Sequence, residues 1–100
     1  MEINLINKDC IEGLQNVNTN SIDLIFCDLP YGTTAAKWDT KIDLNKLCIE
    51  LLRISKEYCC IVFTCKFLFG IEIINAMGKK YFRYDMVLKK SRPTSCFHSN

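Results

Sequence analysis

Histidine occurs once in this chain, at His98, and proline only twice, at Pro30 and Pro93. With one histidine and no Cys-x-x-Cys pair among seven cysteines, zinc-type ligand spacing is missing. Cys10, Cys27, Cys48, Cys59 and Cys60 fall within or beside apolar runs, where a free thiol behaves as a small buried hydrophobe. That reading is favoured over a zinc or disulfide framework, and no metal site is expected. The four glycines, Gly13, Gly32, Gly70 and Gly78, form no Gly-x-Gly pair, so a glycine-rich cofactor loop is absent from the sequence. No apolar run approaches the ~20 residues that span a bilayer. The Met1-Glu2-Ile3-Asn4 start is acidic and polar, unlike a secretory leader. An odd cysteine count without such a leader fits a reducing cytoplasm. Nor is charge strongly one-sided: the formal net charge of +2 identifies no partner.

What is present is apolar and patterned. Hydrophobic residues make up 49% of the 100 positions and charged residues 24%, which points to a globular fold of one domain at most, over residues 1–100. Residues 3–6 read as a short strand. Residues 10–17 read as a helix with Ile11 and Leu14 on one face and Asp9 as its N-cap. Residues 22–27 form an apolar strand. Residues 30–41 form a loop long enough to be functional, holding Trp38. Asp43 can cap a helix running to Ser55, with Leu44, Leu47, Cys48, Leu51, Leu52 and Ile54 as its stripe. Residues 58–64 read as a buried strand and residues 67–77 as a helix closed by Gly78. Residues 81–88 read as a further strand, and residues 89–100 as a basic and then polar tail. This alternation predicts an α/β architecture with a mainly parallel sheet.

Asp28-Leu29-Pro30-Tyr31 stands where the strand of residues 22–27 stops. Open α/β sheets bind ligands at the carboxyl ends of their strands. Proline fixes φ near −65° and donates no hydrogen bond, so a carboxylate, a rigid turn and an aromatic ring would make a shelf for a flat polar heterocycle. The plainer alternatives are a carboxylate capping a turn and a tyrosine at the rim of the core.

These four residues resemble the D-P-P-Y motif of amino-methylating DNA methyltransferases, which modify adenine N6 or cytosine N4. The likeness extends to residues 7–14, similar to the family's N-G-D-C opening, and to Ser21-Ile22-Asp23-Leu24-Ile25, similar to its lead-in strand. Gly32-Thr33-Thr34, Lys37-Trp38-Asp39 and Lys90-Ser91-Arg92-Pro93-Thr94 look like phage-type members that methylate adenine. The resemblance implies a partial Rossmann-like, S-adenosylmethionine-dependent fold acting on double-stranded DNA. The target base would be flipped out of the duplex at a cost of a few kcal/mol. The Asp28 carboxylate and the Leu29 carbonyl would accept hydrogen bonds from its amino group, with Pro30 keeping the turn rigid. Tyr31 would stack on the base, an interaction worth about 1–3 kcal/mol. The amino nitrogen would then attack the sulfonium methyl in one displacement, so no cysteine nucleophile is needed.

Asp9, with Asp28, matches a position expected near the cofactor, although Asp9 reads equally as a helix cap. Lys37, Lys89, Lys90 and Arg92 could contact phosphates, and as single residues also read as solvated charges. Trp38 either packs under the loop or meets DNA. Leu29 replaces the family's first proline, which keeps the carbonyl and gives up the ring's rigidity. The family's F-x-G-x-G segment and target-recognition region are missing. The chain therefore reads as the amino-terminal part of a methyltransferase, as a split subunit or truncated product. A complementary carboxyl-terminal chain or self-association would then complete it. The alternative is an inactive fragment that binds DNA or a partner chain, and a remoter one is an unrelated α/β protein.

Overall fold

A computed structural model describes residues 2–29 and 42–87. The loop expected at residues 30–41 and the tail expected at residues 89–100 lie outside them. In chain order the described elements are α1 (Cys10–Leu14), β1 (Ile22–Asp28), α2 (Leu44–Ile54), β2 (Ser55–Thr64), α3 (Phe67–Met77) and a 3-10 turn (Lys79–Tyr81). β1 and β2 pair in parallel, so the chain is mixed α/β around a parallel sheet that is two-stranded among the described residues. Parallel neighbours cannot be joined by a tight turn; the connection must cross over and usually carries a helix. Here α2 is that helix.

α2 forms where the apolar spacing is helical. Leu47, Cys48, Leu51 and Ile54 are buried along one stripe. The Asp43 carboxylate accepts the Lys46 N–H at 3.2 Å and starts the helix as an N-cap. The stripe packs with Phe69 and Ile73 of α3, with Ile25 in the middle of β1 and with Leu29 just beyond its end. Ile61 and Phe63 of β2 and Cys27 of β1 line the same cluster. α3 ends at Gly78, whose φ of +106° lies in a region that side-chain-bearing residues avoid. Its N–H closes on the Ile74 carbonyl at 2.9 Å. Among the described residues no helix is long and apolar enough to cross a membrane.

The expected end of α1 and the expected start of β2 both change. α1 stops at Leu14, short of Val17. Beyond it Asn16 and Val17 bond to carbonyls three residues back, at 3.2 and 2.9 Å. The Arg53 guanidinium meanwhile takes the Leu14 and Val17 carbonyls, each at 2.9 Å, in place of the continuing helical ladder. β2 starts at Ser55, three residues before Tyr58. Ser55 turns extended at the end of α2 and pairs with Ile22, and its hydroxyl donates to the Leu51 carbonyl at 2.5 Å. Between the Ile22–Ser55 and Leu24–Cys60 pairs β1 advances two residues while β2 advances five, an irregularity that absorbs the early start.

Residues 3–6 and 81–87 are not strands. Ile3, Leu5, Tyr84 and Val87 are exposed, and neither segment has a ladder partner among the described residues. Alternation makes a strand only when a sheet edge receives it. The Arg83 guanidinium instead bonds the Lys80 and Phe82 carbonyls, at 2.9 and 3.3 Å, and holds a local turn.

The expectation of buried thiols also divides. Cys48 is buried and Cys27 and Cys59 are half-buried, whereas Cys10 and Cys60 are exposed. Cys60 pairs with Leu24 on the sheet face away from the helices. On that face Leu24 is 64% and Phe26 66% exposed, and Tyr58, in the irregular stretch before Cys60, is 91% exposed.

Arg53 ties three segments together. It bonds the Glu50 carboxylate at 3.0 Å, the Thr19 hydroxyl at 3.1 Å, the Leu14 carbonyl at the end of α1 and the Val17 carbonyl three residues beyond it. Hydrogen bonds to charged groups contribute about 1.5–3 kcal/mol each and do not add fully. Arg53→Met, which keeps the apolar stem, is expected to cost about 2–3 kcal/mol in urea unfolding. A loss below about 0.5 kcal/mol would make the network a surface decoration.

Candidate functional site

β1 and β2 end side by side because they are parallel and in register. Their last residues, Asp28 and Thr64, are direct partners in the ladder. The Thr64 hydroxyl donates to Asp28 Oδ1 at 2.6 Å, a distance typical of a charge-assisted O–H to carboxylate bond. The alternation of β1 sends Ile25 and Cys27 toward the helices and leaves Asp28 exposed at the rim. A carboxylate at this edge has solvent on one side and a fixed hydroxyl on the other. It can accept hydrogen bonds from a donor-bearing ligand at low desolvation cost.

Leu29 follows at once and is 8% exposed, part of the core cluster. Its side chain packs with the α2 and α3 stripes, so the backbone just past Asp28 is anchored from below. The rigidity expected to be lost with proline is replaced by burial at this position. Pro30 and Tyr31, the other half of the shelf, lie outside the described residues, as do Lys37, Trp38, Lys89, Lys90 and Arg92.

Asp9 is the N-cap of α1: its Oδ2 accepts the Glu12 N–H at 3.2 Å. The capping role is therefore observed. No hydrogen bond joins Asp9 to Asp28 among the described residues. None of the described glycines lines a cradle for a cofactor. A Cβ added to Gly13 would meet only Ile6 and Lys8 at ordinary contact distance, and Gly70 faces the Cys65 sulfur. A shallow groove lies between α1 and α2, lined by Ile11, Gln15, Lys46, Ile49 and Glu50, and includes neither Asp28 nor Thr64. Among the described residues no three metal-ligating side chains converge.

Sequence reading missed Thr64 as a member of the site. A signal existed: it is the polar residue closing the apolar run of residues 58–63, at the carboxyl end of the next parallel strand. Only the register makes it the neighbour of Asp28. No family model, curated protein or solved structure matches the chain.

Beneath the rim, Cys27 is held protonated. Burial, then the Cys10 and Cys48 thiolates, push its pKa from the usual 9.0 to about 11. Burial also raises Cys48, and desolvation followed by the Asp9 charge raises Cys10. A thiol raised in the folded state binds its proton more tightly there than in the unfolded chain. Its contribution to stability is complete below pH 9 and disappears as pH rises toward 11. Cys27→Ala is expected to flatten the fall in unfolding free energy over that window in urea titrations at stepped pH. Identical slopes in the two proteins would show that Cys27 ionises freely.

Proposed function

We propose that the rim of β1 holds the exocyclic amino group of an extruded adenine, and that the chain supplies the base-holding part of a DNA adenine-N6 methyltransferase. The observation that carries this reading is the Asp28 carboxylate at the carboxyl end of a parallel strand, fixed at one oxygen by Thr64. It is supported by the likeness of Asp28-Leu29-Pro30-Tyr31 to the D-P-P-Y motif. A carboxylate and a neighbouring carbonyl offer acceptors alone, which matches an amine and opposes a ring carbonyl. Accepting both amino hydrogens keeps the nitrogen lone pair from delocalising into the ring, which leaves it available to an electrophile. Such preorganised acceptors act through orientation and electrostatics.

S-adenosylmethionine is the donor that the resemblance implies. The described residues do not fit it: no glycine cradle is present, and one oxygen of Asp9 is engaged by the cap of α1. The roles read for the described residues are accordingly those of binding and orienting the base. Double-stranded DNA is the partner of this reading, with Lys37, Lys89, Lys90 and Arg92 as its candidate phosphate contacts.

A second reading, a chain that acts by association, draws on the sheet face that no described element covers. Parallel sheets are ordinarily covered on both faces, and Leu24, Phe26 and Tyr58 are exposed here. In that reading the chain sediments above its monomer mass of 11.6 kDa, and Phe26→Lys returns it to monomer. A wild-type monomer at high concentration rejects self-association.

The base-holding reading is tested on the intact chain by NMR titration with adenosine and with inosine, which carries a carbonyl in place of the amine. Adenosine should shift the amide signals of Asp28, Leu29 and Thr64, inosine should not, and Asp28→Ala should abolish the response. Methyl incorporation from labelled S-adenosylmethionine into duplex DNA, lost in Asp28→Ala, would establish the enzyme. Equal responses to the two nucleosides, or incorporation that survives Asp28→Ala, would remove the assignment.

A further inference from the structure

We propose that Thr64 is the positioning residue of Asp28: its hydroxyl selects the rotamer in which the carboxylate meets an incoming amino group. This rests on the base-holding reading above and goes beyond it, since the D-P-P-Y likeness does not include Thr64. An exposed aspartate at a strand end would ordinarily exchange among staggered χ1 wells. Here three constraints converge on one well. The parallel ladder sets Asp28 and Thr64 directly opposite each other. Threonine is β-branched, so its own χ1 is restricted. The 2.6 Å bond then joins the two side chains, and burial of Leu29 keeps the backbone after Asp28 from drifting.

The consequence is chemical as well as geometric. The single Thr64 proton is directed at Oδ1, which leaves Oδ2 with no partner among the described residues. The oxygen turned toward the ligand is an acceptor whose direction is set before the ligand arrives. Sites of this kind depend on supporting groups that hold the reacting group within a small tolerance. The backbone does not need Thr64 for this purpose, because the ladder and the core already hold both strands. A residue that served only the fold would leave the rotamer of Asp28 untouched when removed.

The test uses the full chain, isotopically labelled, with Thr64→Val and Thr64→Ser. Valine keeps the β-branched shape and the strand preference, so the fold is expected to persist and the amide spectrum away from the rim to be unchanged. Three-bond couplings from the Asp28 amide nitrogen and carbonyl carbon to Cγ read its χ1 populations. One rotamer is expected in the wild type and in Thr64→Ser, and an averaged value in Thr64→Val. A single rotamer retained in Thr64→Val, or averaging already present in the wild type, overturns the proposal.

Methyl transfer to duplex DNA by the same proteins gives the catalytic consequence. Thr64→Val is expected to lower kcat about tenfold to hundredfold, with KM for DNA changed less than about twofold, and Thr64→Ser to recover most of the loss. Unchanged kcat in Thr64→Val overturns the positioning role. Couplings as expected with no methyl transfer by the wild type would support the Thr64 to Asp28 linkage and reject the methyltransferase reading alone.

Discussion

The parallel pairing of β1 with β2 is the constraint on which the rest of the structure depends. Antiparallel strands could have met across a short turn, but parallel ones must be joined by a crossover. α2 provides it, and the burial of Leu47, Leu51 and Ile54 against Ile25, Leu29, Phe69 and Ile73 holds it down. Truncating any one of these core leucines to alanine would remove on the order of 2–5 kcal/mol, a large part of a small domain's stability. The same pairing brings the carboxyl ends of both strands to one rim, and the rim is where Asp28 and Thr64 meet. Fold and candidate site therefore follow from one event.

Polar contacts then decide where the elements stop. Arg53, on the last turn of α2, donates to the carbonyls of Leu14, the last residue of α1, and of Val17 just beyond it, and so holds the end of α1 from outside that helix. Ser55 turns the chain from helix to strand without an intervening loop. The register irregularity between Ile22 and Leu24 absorbs the early start of β2, so that the paired run from Leu24 with Cys60 to Asp28 with Thr64 stays regular. Errors near the start of the strands are thus kept away from the rim.

Much of this was legible in the sequence where local pattern and tertiary demand agree. The stripe of α2, the Asp43 and Asp9 caps, the apolar run into Asp28 and the Gly78 stop all appear as expected, because each depends on neighbours a few residues away. Residues 3–6 and 81–87 carry equally good local patterns and are not strands, since a strand exists only through a partner. Cys10 and Cys60 follow the same logic: apolar flanks do not bury a thiol whose face is left open.

The order of apolar and polar residues by itself determined an α/β chain, a carboxylate at the end of its first strand and a helix able to cross over, because periodicity and capping are short-range. It also carried the likeness of Asp28-Leu29-Pro30-Tyr31 to a base-holding motif. Only the tertiary structure decided that Thr64 faces Asp28, that Leu29 is an anchor in the core and that Arg53 ends α1. Each of these contacts joins residues far apart along the chain. Their distance is set by ladder register and helix packing, which no local pattern encodes.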